Sequence, residues 1–346
     1  MTSTPPKSKR ALLIAALLTL AAAAALAPAC RQTPAPAEPE AVKVRIGYLP
    51  IIGDLPLFVA AEQGYFKKYR LDVELVRFES SPTMGTAFVN NQVDAVASLA
   101  STVAFSIESR DPGKFKVFIA DAYTPQSPLS AMVALRGSGI DKVEDLRGKK
   151  VGTFPGPSTL LFFSLIMKKH GLDPAKDVTV IELPPGNQIQ ALVGKQVDAL
   201  NTLEPIATQA VLDHQAVNYN PGAIEREIIN PYHGGLWLIS ADLVGGRPDV
   251  AARVTAACYE ALDSLRANPA EAKKSLAKYV NVSQGVAEGT PTPTFSKADE
   301  VDVPVLRRYV ELIREGGVIG KSVDPAGLLI DVRLLERARP ADAGAR

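Results

Sequence analysis

The chain has 346 residues, of which 47% are hydrophobic, and its formal net charge is +1. This length suits two domains, or one large one, with a sizeable core. Three basic residues and no acidic ones lie in the first 29 positions, so the remaining chain has 35 basic and 37 acidic residues, a net charge of −2. Such a balance gives no reason to expect a nucleic acid or an anionic membrane surface as partner.

The first thirty residues are typical of an export signal. Lys7, Lys9 and Arg10 precede an uncharged run from Ala11 to Leu26, which is too short to span a bilayer comfortably. The run continues into Leu-Ala-Pro-Ala-Cys, which resembles the bacterial lipobox, although its leucine stands four residues before Cys30 instead of three. We therefore predict a signal peptide over residues 1–29 and lipidation of Cys30. An ordinary signal peptide that is cut after Ala-Pro-Ala is the alternative.

The segment 30–42 is predicted to be a lipid-anchored tether. It is rich in Pro and Ala and shows no apolar periodicity, as expected for an extended spacer that holds a folded domain off a membrane. The other cysteine, Cys258, lies in a helical pattern, so no internal disulfide is available. Cys258 is expected to be a small buried apolar residue.

Short β-rich runs and helical stretches alternate after the tether. Strands are predicted over Val44–Tyr48, Leu71–Phe78 and Ala95–Ser98, and helices over Leu57–Tyr65 and Thr83–Asn91. This alternation indicates an α/β fold built from βαβ units.

The sequence repeats itself after about one hundred residues. IGYLP at 46–50 is echoed by VGTFP at 151–155, and QVDA at 92–95 by QVDA at 196–199. A third match, Asp-Val, occurs between them at 72 and at 177. Three matches in the same order at nearly constant spacing predict two similar α/β lobes.

The lobe boundaries are predicted from changes in composition. A segment rich in Pro, Ser and Thr at 123–130 marks the first crossing, and the return crossing is placed near Trp237. Lobe one is therefore predicted to comprise 43–129 plus 236–335, and lobe two 130–235. In the C-terminal part, helices are predicted over 250–267, 269–279 and 303–315, and a loop over 282–297.

Two motifs carry a family resemblance. GYFKKYRLDVEL at 64–75 and DLRGKKVG at 145–152 resemble signatures of the ABC-transporter substrate-binding proteins for nitrate, sulfonates, taurine and thiamine-pyrimidine precursors. Arg70 stands where that family often has Gly. The resemblance implies a type II periplasmic-binding-protein architecture, with two lobes joined by a two-crossing hinge and a ligand cleft between them.

The same resemblance implies a function. We expect an extracytoplasmic solute-binding lipoprotein, monomeric and without a cofactor, that captures a small organic nutrient for the permease and ATPase subunits of an ABC importer. Two alternatives stay open. One is an enzyme similar to the pyrimidine-precursor synthases, a cytoplasmic branch with a Lys-linked pyridoxal phosphate and a Cys-rich motif that this sequence lacks. The other is a ligand sensor that docks on a membrane receptor.

In such a fold, loops at strand ends and helix N-termini hold the ligand. The predicted binding residues in these loops are Tyr48, Asp54, Ser98, Ser101, Thr102, Ser158, Thr159, Glu204, His233 and Trp237. Each has a structural alternative. The hydroxyl groups would cap helices, Asp54 would belong to a turn, Glu204 would favour a helix N-terminus, and His233 and Trp237 would belong to the core.

The charges of these loops bear on the ligand. They contain two carboxylates, one His and no Lys or Arg, whereas a fully ionised anion normally recruits a guanidinium or an ammonium group. This favours a neutral or amine-bearing organic ligand, although helix N-termini bind oxyanions without a charged side chain. The three His residues lack metal-ligand spacing, and the sequence contains no nucleophile elbow or P-loop. We therefore expect no metal site and no catalysis.

Overall fold

The computed structural model describes residues 41–338. Its strands are β1 Val42–Tyr48, β2 Leu71–Arg77, β3 Ala95–Ala100, β4 Phe115–Ala122, β5 Ser130–Leu135, β6 Lys149–Thr153, β7 Val178–Glu182, β8 Ala199–Leu203, β9 Ala216–Pro221, β10 Gly235–Ser240 and β11 Thr294–Lys297. Its α-helices are α1 Leu55–Glu62, α2 Tyr65–Lys68, α3 Ser81–Val89, α4 Ser101–Arg110, α5 Pro157–Lys169, α6 Pro185–Val193, α7 Ile206–Asp213, α8 Ala223–Glu227, α9 Ala241–Gly246, α10 Pro248–Ala267, α11 Pro269–Val280, α12 Gln284–Gly289 and α13 Val303–Glu315.

The strands form two mixed sheets. The first has six strands in the order β11-β4-β10-β3-β1-β2, and the second has five in the order β7-β6-β8-β5-β9. The five strands of the second sheet all lie between residues 130 and 221. The predicted α/β fold with two similar lobes is confirmed. We use lobe one and lobe two for the parts of the chain that surround the first and the second sheet.

The internal repeat is visible in the hydrogen bonding. β1 lies parallel to β2 and β3, and β6 lies parallel to β7 and β8. The aspartate of each QVDA motif accepts a hydrogen bond from the backbone of the preceding strand. Asp94 Oδ2 accepts from Arg45 N at 2.7 Å, and Asp198 Oδ2 accepts from Lys150 N at 2.8 Å. The motif thus recurs because it fastens the same strand pair in each lobe.

Two chain segments connect the sheets, and they pair with each other. Tyr123 follows β4, and Tyr232 precedes β10. Tyr123 N donates to Tyr232 O at 3.0 Å, and Tyr232 N donates to Tyr123 O at 2.8 Å. The phenol rings of this pair lie 6.1 Å apart, and Tyr309 of α13 lies 6.0 Å from the Tyr232 ring. The crossing is therefore a short two-stranded junction next to an aromatic cluster.

Two local predictions are wrong. The predicted helix over 57–65 is divided, because Gly64 adopts a left-handed conformation (φ 75°) between α1 and α2. The predicted loop over 282–297 contains α12 and β11. β11 pairs antiparallel with β4 and forms the edge of the first sheet, a tertiary contact that local composition does not reveal. Within residues 41–338, no helix is long and apolar enough to cross a membrane.

Candidate functional site

A cavity of about 60 Å³ lies where the two sheets face each other. Its wall includes the segments that follow or end parallel strands in both lobes, which is where ligands bind in open α/β sheets. Lobe one contributes residues after β1 and β2 and at the end of β3, and lobe two contributes residues after β6 and at the end of β8. The polar side chains of the wall are Ser80, Ser81, Ser98, Ser130, Ser158, Thr159, Asn201, Thr202 and Tyr232.

Three helices begin at this cavity. Residues from the first turns of α3, α4 and α5 line it, namely Ser81, Val103 and Ser158. The first N–H groups of a helix have no partner within the helix and carry a partial positive charge. In α5 the Leu160 N–H donates to Gly156 O at 3.3 Å, and the preceding N–H groups belong to Ser158 and Thr159. The convergence of positive helix ends favours a ligand that is rich in hydrogen-bond acceptors.

The hydroxyl groups of the two lobes meet at the edge of the cavity. Thr102 in α4 shares a hydrogen bond with Ser158 in α5. A second contact between the lobes runs from Ile52 N to Glu204 O at 3.4 Å. The structure therefore has the lobes closed onto each other, and the two hydroxyl groups form part of the closure.

An amide network supports the wall in lobe two. Asn201 Nδ2 donates to Thr153 Oγ1 at 3.1 Å, and Thr202 Oγ1 donates to Gln188 Oε1 at 2.6 Å. Gln188 Nε2 in turn donates to Leu183 O at 3.1 Å. Sequence reasoning missed this network, because its members come from β6, β8 and α6 and share no motif. The network fixes the orientation of two polar wall residues, Asn201 and Thr202.

A buried carboxylate lies behind the wall in lobe one. Asp121 is fully buried, and its Oδ2 accepts hydrogen bonds from Ser98 Oγ at 2.5 Å and from Tyr123 Oη at 2.9 Å. Its Oδ1 accepts from Trp237 Nε1 at 3.1 Å. Burial raises the pKa of Asp121 to about 7, while these three hydrogen bonds oppose the rise. Sequence reasoning missed Asp121, although a lone carboxylate in an apolar strand is a signal for such a role.

The two carboxylates of the predicted site do not line the cavity. Asp54 is fully buried, and its Oδ2 accepts a hydrogen bond from Leu49 N at 3.2 Å. Glu204 is 4% exposed, and its Oε2 accepts from Thr208 N at 3.0 Å in the first turn of α7. Burial raises the pKa of Glu204 to about 7. The carboxylate of Glu204 thus caps a helix, which is the structural alternative to ligand binding.

Tyr48, Trp237 and His233 also stand outside the cavity wall. The Tyr48 ring packs edge-on against Phe58 at 5.5 Å, and Trp237 is fully buried in a central strand. His233 Nδ1 donates to Asp121 O at 2.7 Å, and burial lowers the pKa of its ring. These three residues are core and junction residues, so stacking of Tyr48 or Trp237 on a ligand has no support here.

The structure brings together only the hydroxyl part of the predicted site. Ser98, Ser158 and Thr159 line the cavity, and Thr102 joins its edge through Ser158. Ser101 is buried next to them, where its Oγ donates to His233 O at 2.7 Å. Within the described residues, the cavity wall contains no charged side chain. Cys30 lies outside the described residues.

Fold and cavity together define a class: two-lobed α/β proteins of the periplasmic-binding-protein type, with a cavity between the lobes whose wall, among the described residues, is uncharged. A family model with the description "NMT1-like family" matches residues 37–281. The chain belongs to this family.

Individual proteins show the same likeness. A Brucella abortus (strain 2308) protein described as a candidate binding protein is 25% identical over 295 residues, which cover 81% of this chain and 82% of that protein. The nitrate/nitrite-binding protein NrtA of Nostoc sp. (strain PCC 7120) is 23% identical over 238 residues, which cover 64% of this chain and 53% of NrtA. The fold is similar to that of the alkanesulfonate-binding protein SsuA from Xanthomonas axonopodis pv. citri bound to MOPS. This structural match has a TM-score of 0.68 and a sequence identity of 20%, and it covers 84% of this chain and 99% of the SsuA chain.

Proposed function

We propose that this chain is an extracytoplasmic solute-binding protein that captures a small, acceptor-rich solute and delivers it to an ABC importer. The observation that carries the proposal is the cavity itself, whose uncharged wall is lined by hydroxyl groups, an amide and helix N-termini from both lobes. A solute that touches both lobes binds the closed arrangement better than the open one, which couples binding to closure. The named relatives support the solute-binding role, since one of them is a nitrate/nitrite-binding protein.

The composition of the wall narrows the class of solute. The carboxylates of Asp54 and Glu204 lie outside it, which removes the reason to expect an amine-bearing solute. A volume of about 60 Å³ corresponds to about four to six water-sized positions, at about 10–15 Å³ each. The enclosed part of the solute is therefore about the size of a nitrate, a bicarbonate or a methanesulfonate ion. Donor groups at the helix ends suit the oxygen atoms of such a solute.

Binding is proposed in preference to catalysis and to sensing. The family relatives described above are binding proteins, and the wall offers hydrogen-bond donors and apolar surface without a paired acid and base among the described residues. A sensor role would use the same cavity. A permease and an ATPase that are stimulated by the loaded protein in reconstituted vesicles would support import.

The proposal includes export and a membrane anchor. The run before Cys30 and the Pro-rich segment after it support a lipoprotein whose folded part stands outside the cytoplasm on a tether. Acylation at Cys30 would hold the binding protein near its permease. The folded part is expected to act as a monomer, with each chain presenting one cavity.

The experiment that tests the binding role begins with the protein as purified. Mass spectrometry of co-purifying small molecules identifies candidates, and a thermal-shift screen with nitrate, bicarbonate and methanesulfonate ranks them. A solute at about one hundred times its Kd stabilises the folded state by about 2.7 kcal/mol, so the melting temperature rises by several degrees. Chloride at equal ionic strength is the control. No specific shift with any oxyanion or co-purified compound would contradict the proposal.

A further inference from the structure

Two buried carboxyl groups lie directly behind the cavity wall in lobe one. Asp121 is fully buried, and its three side-chain hydrogen bonds come from the neutral donors Ser98, Tyr123 and Trp237. Asp54 is also fully buried, and its Oδ1 has no hydrogen-bond partner among the described residues. A buried carboxylate without a cation strongly favours its protonated form.

The two carboxyl groups lie close together, since a Cβ added to Gly53, the neighbour of Asp54, would stand 2.8 Å from Asp121 Oδ2. Burial and the nearby charge of Asp121 raise the pKa of Asp54 well above its ordinary value. The pKa of Asp121 is raised to about 7 by burial. Two such neighbours titrate as a pair, because each disfavours the negative charge of the other. Since Asp121 has three donors and Asp54 has an unpartnered oxygen, the hydrogen bonding favours the charged form at Asp121 and assigns the proton to Asp54.

Each carboxyl group is one hydrogen bond away from the cavity wall. Asp121 accepts from the hydroxyl of Ser98, and Asp54 accepts from the backbone N–H of Leu49, and both Ser98 and Leu49 line the cavity. Ser98 holds a left-handed backbone conformation (φ 37°) that is unusual for a residue other than Gly. An anion in the cavity would therefore lie close to the pair.

We propose that solute binding in this cavity is coupled to the uptake of one proton by the Asp54–Asp121 pair. The inference rests on the proposed function. An anion that enters the cavity repels the second negative charge of the pair, so the complex holds a proton that the free protein has partly released. Affinity for an anion that does not itself titrate then falls as the pH rises. Affinity falls by up to tenfold per pH unit in the pH range in which the free protein has lost the proton and the complex still holds it.

Other ionisable groups near the pair do not replace it. Tyr123 donates to Asp121, and burial keeps the phenol neutral by raising its pKa well above the ordinary value. Tyr232 is likewise buried, with its pKa raised. His233 donates to the backbone carbonyl of Asp121, and burial lowers the pKa of its ring, so it is neutral near pH 7. Within residues 41–338, no Lys or Arg forms an ion pair or hydrogen bond with Asp54 or Asp121.

Glu225 provides a matched control. It is 1% exposed and also lies one hydrogen bond behind the wall, because it accepts from Ser130 Oγ at 2.5 Å. Its other oxygen accepts backbone N–H groups from Leu129 at 2.9 Å and Ser130 at 3.2 Å. Burial raises the pKa of Glu225 as well, while the hydrogen bonds from Ser130 and Leu129 oppose the rise. Glu225 therefore tests whether any buried carboxyl group behind the wall takes up the proton, or only the Asp54–Asp121 pair.

The test is calorimetric titration of the full chain with nitrate and with methanesulfonate between about pH 6 and about pH 8. Two cationic buffers with different enthalpies of ionisation report the protons taken up. The wild-type protein is expected to take up about one proton per anion near pH 8 and to lose affinity as the pH rises, by up to about tenfold per unit. Asp54→Asn, which removes the carboxyl group assigned the proton, should abolish the uptake and flatten the profile. Glu225→Gln and Glu204→Gln should keep the uptake.

Several results would overturn the proposal, and one of them would overturn the function as well. Binding of either anion to the wild-type protein without proton uptake and with a flat pH profile refutes the coupling alone, and this measurement requires no variant to fold. Uptake that survives in Asp121→Asn and in Asp54→Asn refutes the assignment to this pair. Failure of both anions to bind at every pH refutes the coupling together with the proposed oxyanion ligand.

Discussion

Replacement of Glu204 by Gln separates a capping role from a ligand contact. The carboxylate is 4% exposed, stands outside the cavity wall and accepts a hydrogen bond from Thr208 N at 3.0 Å. Gln keeps the shape and one acceptor oxygen, so Thr208 retains a partner in the variant. We therefore expect the variant to change the pH dependence of stability and to leave solute affinity within about threefold of wild type.

The size of the expected change in stability follows from the pKa of the Glu204 carboxyl group. Burial raises it from 4.5 to about 7 in the folded chain. Below about pH 4.5 both states are protonated and the group has no effect on folding. As the pH rises towards 7, the unfolded chain releases its proton first, so wild-type stability falls by about 1.4 kcal/mol per pH unit, or about 3 kcal/mol in all. The Glu204→Gln variant does not lose stability in this way as the pH rises. Its weaker helix cap lowers its free energy of unfolding by about 0.5–2 kcal/mol at every pH.

The assay is urea unfolding of both proteins at several values between about pH 5 and about pH 8. The stability of Glu204→Gln relative to wild type is expected to rise with pH by about 3 kcal/mol, with an unchanged dependence on urea. A constant difference across this range would refute the buried-acid argument. A loss of affinity of tenfold or more at unchanged stability would return Glu204 to the ligand site.

Four further predictions concern the closure, an ion-pair cluster, the anchor and the hinge. Thr102→Ala removes a hydroxyl contact between the lobes and should weaken solute affinity about three- to tenfold in calorimetry, with little change in melting temperature; an unchanged affinity would argue against its part in closure. His170 lies 2.8 Å from Glu144 and 2.9 Å from Glu227, and hydrogen bonds to these carboxylates raise its pKa against the opposing effect of burial. His170→Gln should therefore lower the melting temperature near pH 6 and have little effect near pH 9, where wild type has lost the stabilising proton; an equal effect at both pH values would contradict the ion-pair argument. Cys30→Ser should release the protein from the membrane fraction of its host, and a soluble, unacylated wild-type protein would contradict the anchor. Saturating solute should reduce the radius of gyration in solution scattering, and identical curves would indicate a rigid site.

The sequence predicts the fold because its signals are local and repeated. The QVDA motifs reappear as the aspartates that fasten β1 and β6, and the alternation of elements predicts the α/β class. β11 escapes prediction because it is four residues long and is stabilised by β4, more than 170 positions earlier in the chain. Local composition gives no measure of such a pairing.

The predicted site residues that line the cavity all carry hydroxyl groups. Ser158 and Thr159 stand at a predicted helix N-terminus, and they line the cavity. Asp121 is missed because it is a single polar residue in the apolar strand FKVFIADA, and its partners Ser98 and Trp237 lie on other strands. Their convergence is a property of the folded sheet. The number of charged residues in the predicted loops does not give the charge of the cavity wall. Asp54 and Glu204 belong to those loops, but their carboxylates are buried outside the wall.

The central claim, that a small oxyanion binds at the start of α5, is tested most directly by calorimetry of Ser158→Asp. This substitution places a negative charge at a helix end that lines the cavity, while a helix N-terminus tolerates Asp and the fold is retained. The wild-type protein is expected to bind nitrate, bicarbonate or methanesulfonate, and the variant to lose at least about one hundredfold in affinity for the same ion. Equal affinity in the two proteins would place the solute elsewhere and contradict the account.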